Sequence, residues 1–397
     1  MADREAALIL CPECPYPPVG GGALRTASLV EYLADRYRLD AVVFRPPGAE
    51  DPRETGLGRR ARRILVLDLP YHRRSGAARA WRNLRRLWRG VPPLVERFSG
   101  FEDEVRAFAA GTDYRLAVVE HFWCAPYAAA LRAPGRRLVL DLHNVESALH
   151  AGCGDAETWP LSGVHRRFAR ICRRLERRWL PEYSLVLTAS ESDARRTVDL
   201  CPGARVAVYP NTIPWVPLPE RPADGPPAVV FSGNLEYHPN QAAVRWFRRE
   251  IWPRLRERRP ELVWRLVGKN PEAVRRYASG DARIELIGPV EDAVGAIASA
   301  TVAVAPLLAG SGTRVKILEA WAAGVPVVAT PIGAEGLEAE PGRDLLLAET
   351  PEEFAAAVEL LLDDARRRAE IARAGRCLFE SRYTWKSGRQ VLARLGI

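Results

Sequence analysis

Short β-branched runs alternate with amphipathic helical stretches along this chain, and the alternation runs through twice. The first series predicts strands at Ala7–Cys11, Leu39–Phe44, Ile64–Leu67, Leu116–Glu120, Arg137–Asp141, Leu185–Ala189 and Val206–Tyr209. The second predicts Ala228–Ser232, Leu262–Val267, Ile284–Leu286, Val302–Pro306, Val327–Ala329 and Leu345–Leu347. Between them, residues 210–227 hold seven prolines, which remove backbone donors and read as a hinge linker. Strands separated by helices pair in parallel and are covered on both faces by their crossovers. The expected fold class is α/β with two Rossmann-like domains. The expected boundaries are 1–212, a linker at 213–227, a second domain at 228–380 and a terminal helix at 381–397. A length of 397 residues suits two cores better than one, and 47% hydrophobic residues exclude disorder.

No apolar run reaches the ~18 residues that span a bilayer. The apolar N-terminal stretch, headed by Asp3, Arg4 and Glu5, runs into Cys-Pro-Glu-Cys-Pro without a small-residue cleavage site. It reads as a first buried strand, so a cytoplasmic location is expected. Seven cysteines, an odd number, point to free thiols. The Cys11–Cys14 pair sits among Pro12, Pro15, Pro17 and Pro18, and no second ligand pair is present for zinc.

The net charge of +9 is uneven: residues 1–215 carry 33 arginines, no lysine and 25 acidic residues. Two basic amphipathic stretches, Trp81–Trp88 and His165–Trp179, account for the excess. In the second, Phe168, Ile171, Leu175 and Trp179 recur at helical spacing and are expected in the core. Its arginines form either a solvated face or a docking face for anionic lipid. Nucleic acid is not an expected partner, since no recognised binding motif accompanies the charge. Lys269, Lys316 and Lys386 are the only lysines. Lys269 reads as an exposed loop residue.

Open parallel sheets bind ligands beyond the carboxyl ends of their strands, so the loops after strands carry the functional information. After Pro306 comes a loop with Gly310 and Gly312, then a helix opening near Thr313. Free N–H groups and the positive end of the dipole suit a phosphate there. Arg314 and Lys316 oppose that dipole, and a diphosphate would explain them. Glu319, about a turn beyond Lys316, is placed for a ribose diol. The residues alone leave an ordinary i, i+3 Lys–Glu pair on a solvated helix equally open. In the first half, Gly20, Gly21 and Gly22 come after the first strand, Glu120-His121 closes the fourth, and His143-Asn144 comes after the fifth. Either histidine is placed to line a cleft. Phe44-Arg45 stands where a nicotinamide enzyme has an acidic residue.

The segment Val302–Thr330 resembles the donor-binding motif of family 4 retaining glycosyltransferases, Glu-x7-Glu followed by Ala, a small residue, Gly and Pro-Val-Val-Ala. Glu319 matches the second Glu, which holds the ribose, and Gly324, Pro326, Val327, Val328 and Ala329 match the turn and strand beyond it. Ser311 stands at the first Glu position. The resemblance therefore implies a sugar-side contact from Ser311 and the backbone of Gly310, Gly312 and Thr313. The family's Gly-Arg and downstream Lys are replaced by Gly233-Asn234 and the Tyr237–Asn240 loop, which leaves the diphosphate to Arg314 and Lys316. Gly288, Pro289 and Val290 match a loop that bonds the nucleobase through its backbone. Gly21 and Gly22 match the loop that reaches toward the donor phosphates. His121 matches a histidine that touches the donor sugar, and His143 and Asn144 are placed as acceptor or cleft residues.

The resemblance further implies the GT-B layout: two Rossmann-like domains facing a cleft, with C-terminal helices packing back toward the N-domain. Implied catalytic residues are His121, Arg314 and Lys316. The donor is a nucleotide-diphosphate sugar, a substrate rather than a cofactor. The acceptor is a saccharide or lipid-linked saccharide in surface polysaccharide or glycolipid assembly. Transfer proceeds with retention and without a metal, in the cytoplasm or peripherally at the inner face of the membrane. A nucleotide-sugar epimerase on the same layout, and a non-catalytic two-domain binding protein, remain as rivals.

Overall fold

The computed structural model describes residues 4–70, 85–86, 88–220, 225–309 and 314–397. The chain divides into two compact units, Met1–Pro210 together with Arg389–Ile397, and Asn211–Gly388. The first unit is built on seven strands: β1 (Ala6–Cys11), β2 (Arg38–Arg45), β3 (Arg63–Asp68), β4 (Tyr114–Glu120), β5 (Arg137–Leu142), β6 (Leu185–Thr188) and β7 (Val206–Val208). The second holds six: β8 (Ala228–Ser232), β9 (Val263–Val267), β10 (Ile284–Ile287), β11 (Val302–Ala305), β12 (Val327–Ala329) and β13 (Leu346–Leu347). Each expected strand is present.

The sheet orders are β3-β2-β1-β4-β5-β6-β7 and β10-β9-β8-β11-β12-β13, with parallel pairing throughout. Both are doubly wound, and the strand order reverses between β1 and β4 and between β8 and β11. At such a switch point neighbouring loops part and open a crevice at the carboxyl ends of the strands.

β1 explains why the pattern was readable. All six of its residues are buried. Leu8 and Leu10 join Phe44, Val119 and Leu140 on one face, while Ala7, Ile9 and Cys11 join Leu29, Leu33, Val118 and Val139 on the other. A strand covered on both faces has no polar side and so reads as a continuous apolar run. The chain's last residues complete the second of these cores. Leu392 and Ile397 pack in it, and the Tyr32 hydroxyl donates to the Ile397 backbone oxygen at 2.6 Å.

In the second unit the core is aromatic. Trp264 lies 4.6 Å from Phe247 and 5.8 Å from Trp252, centroid to centroid, and the Trp252 indole donates to Asp281 at 2.9 Å. The described part of the proline-rich stretch is tied down within this unit. The Ile213 N–H donates to the Tyr383 carbonyl at 3.0 Å, and the Arg376 guanidinium donates to the Val216 carbonyl at 2.6 Å.

In the helix Leu161–Trp179, Phe168 and Ile171 are buried, and Leu175 and Trp179 pack half-buried against the core. Its seven arginines, from Arg166 to Arg178, are exposed. Residues 81–84 and 87 of the other basic stretch lie outside the described residues. The cysteines are all free thiols. Among the described residues no helix is long and apolar enough to cross a membrane.

Candidate active site

From the switch point of the second unit outward, the adjacent strands β8, β9 and β10 each run into a glycine at the carboxyl end. Gly233, Gly268 and Gly288 come after β8, β9 and β10 with φ of 140°, 140° and 144°. The N–H groups of Gly233 and Gly268 donate to the Val267 and Ile287 carbonyls at 2.9 Å. A Cβ on Gly268 would lie 1.9 Å from the Gly233 oxygen, and one on Gly288 would lie 2.1 Å from the Gly268 oxygen. Only glycine fits such a terrace of bare backbone, and a ligand can approach it closely. Gly288 and Pro289 are joined by a cis peptide. Gly288 and Pro289 are exposed on the terrace, and Val290 is half-buried.

Lys316 reaches this terrace from the helix Val315–Ala322, whose N-cap is Arg314. Its ammonium donates to Asn240 Oδ1 at 2.8 Å and lies 4.4 Å over the Phe231 ring. A Cβ on Gly233 would be 3.3 Å from Lys316 Nζ. Asn240 is oriented in turn by donating to the Asn234 carbonyl at 2.7 Å. Burial first, and the Arg314 charge second, bring the Lys316 pKa down to about 7, against the pull of Glu319. Glu319 lies one turn along the same helix and accepts from the Ser232 hydroxyl at 3.3 Å. Burial brings its pKa up to about 7, opposed by Lys316 and Ser232. A half-buried amine and a buried carboxyl of similar pKa form a site whose charge an incoming anion or diol can set.

Arg314 is directed elsewhere. Its Nε and Nη2 donate to the Ile332 carbonyl at 3.3 and 3.1 Å, and Nη2 is 3.9 Å from Glu335. Of the two expected cations, Lys316 faces the glycine terrace and Arg314 is anchored on the turn after β12. Gly310, Ser311, Gly312 and Thr313 lie outside the described residues. Lys269 is exposed. Asn240 was visible in the sequence only as the last residue of an unassigned loop. Its role depends on a partner 76 residues away.

The first unit gathers its polar groups where β4 and β5 end. Gly20, with φ 91°, turns the chain into the helix Gly21–Arg36. A Cβ on Gly22 would meet His143 Nδ1 at 3.8 Å, Glu13 Oε1 at 3.9 Å and His121 Nε2 at 4.0 Å. His121 has φ 65°, uncommon for a residue with a Cβ, and donates its N–H to the Asp141 carbonyl at 2.9 Å. Its ring is stacked between Trp123, at 4.2 Å and 7°, and His143, at 3.5 Å and 32°. His143 Nε2 lies 2.6 Å from Glu120 Oε2 and 3.5 Å from Asp141 Oδ2. Thr26 donates to the same Glu120 oxygen at 2.9 Å, and Arg25 Nε donates to Asp141 Oδ2 at 2.7 Å. Asn144 comes next, half-buried, before the helix that opens at Glu146.

These contacts separate the two histidines electrically. Burial alone would lower the pKa of both. At His143 the carboxylates of Asp141 and Glu120 outweigh it and raise the pKa. At His121 the charges of His143 and Arg25 add to burial and hold the pKa well below its ordinary value. Burial would raise Asp141 too, but Arg25 brings it down to about 2. His121 is therefore a neutral imidazole with one donor and one acceptor, suited to a hydroxyl. Glu120, Asp141 and His143 also have ligand atoms within 4.8 Å of one another, the spacing of a metal site. Arg25 already caps Asp141 and His143 already engages Glu120, so a cation would have to displace both partners. Arg25, Thr26, Glu120 and Asp141 were not singled out as site residues from the sequence. The available signal was Asp141 itself, a charge inside an apolar central strand, which demands a buried partner.

The model for glycosyl transferases group 1 matches residues 226–364, and the model for a glycosyl transferase 4-like domain matches residues 20–212. A phosphatidyl-myo-inositol mannosyltransferase from Mycolicibacterium smegmatis is 33% identical over 140 residues, 34% of this chain and 36% of that protein. The match thus spans about a third of that relative's length. Among solved structures, sucrose-phosphate synthase from Thermosynechococcus elongatus superposes with a TM-score of 0.70 at 17% identity, covering 99% of this chain and 98% of the other. HepE from Anabaena, solved in complex with UDP and glucose, gives 0.67 at 16% identity over 98% of both chains. At such identities the likeness concerns the fold, two Rossmann-like α/β units of the GT-B kind. One family model falls on each sheet, and together they take in most of the chain, so the protein belongs to the group 1 glycosyltransferases.

Proposed function

We propose that this protein transfers a sugar, with retention, from a nucleotide-diphosphate sugar to a hydroxyl of a saccharide or lipid-linked saccharide in surface polysaccharide or glycolipid assembly. The observation that carries the reading is Lys316, half-buried at the glycine terrace with Asn240 as a neutral partner and Glu319 a turn away. On this reading Lys316 takes the diphosphate, and Arg314 adds positive potential from its anchored position. Glu319 takes the ribose diol, and the backbone of Gly233, Asn234 and Gly288–Val290 takes the phosphate and base edges. Gly310, Ser311, Gly312 and Thr313 are assigned to the donor sugar on the strength of the motif. His121, neutral and backed by His143, hydrogen-bonds the donor sugar beside the backbone of Gly21 and Gly22, and Asn144 serves the acceptor. A uridine donor is supported by the UDP-glucose complex of HepE, and a lipid-linked acceptor by the mannosyltransferase relative.

In the step itself the acceptor oxygen bonds to the anomeric carbon on the face from which the phosphate oxygen leaves. The departing phosphate takes the acceptor's proton. Negative charge grows on the leaving group, so Lys316 helps the transition state more than the ground state. The positive charge comes from protein cations, and the scheme calls on no metal. The exposed arginines of the helix Leu161–Trp179, with Trp159 and Leu161 exposed at its start, suit peripheral docking on the anionic cytoplasmic face of a membrane.

Incubating the enzyme with UDP-glucose, UDP-N-acetylglucosamine or GDP-mannose, with and without extracted membrane lipid, separates this reading from its rivals. A transferase releases nucleoside diphosphate when acceptor is present, and the new anomeric proton keeps the donor's configuration in NMR. Conversion to an isomeric nucleotide sugar without acceptor means an epimerase. Binding with no turnover of any donor means a binding protein.

A further inference from the structure

We propose that Glu146 is a positioning residue for His121, acting through the indole of Trp123, so that the three side chains form a brace behind the His121 ring. Glu146 opens the helix Glu146–Ala156 and is 7% exposed. Its Oε1 accepts a hydrogen bond from Trp123 Nε1 at 3.1 Å. That indole lies flat on the His121 imidazole, and Phe98 is also stacked on it, at 6.0 Å and 9°. Stacking fixes the separation and tilt of two rings and leaves one free to turn in its own plane. A hydrogen bond is directional. The bond to Glu146 therefore sets where the indole lies over His121, and with it the plane in which the imidazole is held. His121 needs such support, because its left-handed backbone is costly for a residue with a Cβ.

The surroundings of Glu146 add a pH signature. Glu176, from the helix Leu161–Trp179, faces it and is fixed by the Ser147 N–H at 3.0 Å. Burial first, then Glu176, brings the Glu146 pKa up to about 8, against the Trp123 bond and His143. The neighbouring thiols of Cys153 and Cys172 are pushed up by burial and remain neutral. On the other side of the stack stand His143, Glu120, Asp141 and Arg25. At neutral pH Glu146 thus holds its proton, and ionisation near pH 8 places a new negative charge beside the brace.

The inference rests on reading His121 as a sugar-facing group, and its test uses no sugar. The full chain is labelled with 15N-histidine, and the imidazole nitrogens are followed from pH 6 to 10, with His121→Gln assigning the signal. We expect a neutral His121 in one tautomer, with a shift that inflects near pH 8. Glu146→Gln keeps an acceptor for the indole, so the tautomer persists and the inflection disappears. Trp123→Phe keeps a ring without the bond, so the His121 nitrogens move toward tautomer-averaged shifts while the melting transition is retained. An inflection that survives Glu146→Gln, or His121 signals unchanged in Trp123→Phe, overturns the proposal and leaves the glycosyl-transfer reading standing. Absence of turnover with nucleotide sugars would overturn that reading and leave the brace standing.

Discussion

A partly desolvated lysine loses its proton more readily, and Lys316 meets a neutral amide where a salt bridge would keep it charged. A bound diphosphate would hold the proton on. Between the pKa of about 7 in the free protein and the higher value in the complex, binding takes up as much as one proton. UDP affinity should therefore fall as pH rises from 7 to 9, by up to about tenfold per unit. Calorimetry in buffers of different ionisation enthalpy reads both the slope and the proton. Lys316→Gln should bind weakly with a flat profile, and a slope retained in that variant would place the titrating group elsewhere. The same residue marks the reach of sequence reasoning. Its rarity, and its place one turn before Glu319, singled it out. Asn240 and Arg25 stayed hidden because their partners, Lys316 and Asp141, lie 76 and 116 residues away, and spacing along one chain segment says nothing of such pairs.

Among elements, the strands were legible because both faces of each sheet are buried, which leaves uninterrupted apolar runs such as β1 and β8. Their ends were less so. Gly233 and Gly288 stood in recognisable segments, whereas Gly268, which touches both, was only the end of a strand followed by a lysine. The terrace makes a sharp prediction. Gly268→Ala puts a Cβ against the Gly233 carbonyl with φ at 140°, and rigid backbone on both sides blocks relief. It should cost the second unit on the order of 2–4 kcal/mol. Gly163, in the first turn of the helix Leu161–Trp179, has nothing within 4 Å of its Cβ position, so Gly163→Ala should be neutral or stabilise by up to about 1 kcal/mol. Thermal melts of the two variants compare strain with propensity directly, and a Gly268→Ala protein as stable as the parent would contradict the terrace.

Over the whole molecule, the basic excess noted in the first half of the chain resolves in part into one exposed arginine face. Cations near an anionic bilayer contribute about 1 kcal/mol each. Replacing Arg170, Arg173, Arg174 and Arg177 with Gln should weaken binding to phosphatidylglycerol vesicles by about a hundredfold or more, with no change in UDP affinity. Sedimentation with the vesicles reads the first and calorimetry the second. Equal sedimentation of variant and parent would mean a merely solvated face.

The proposed chemistry depends above all on the second sheet holding a nucleoside diphosphate at its switch point. A crystal structure of the protein soaked with UDP decides that. We expect a phosphate oxygen within hydrogen-bonding distance of Lys316 Nζ, the ribose diol on Glu319 and the base against the Gly288–Val290 backbone. A phosphate held by another cation, with Lys316 still on Asn240, would contradict this assignment.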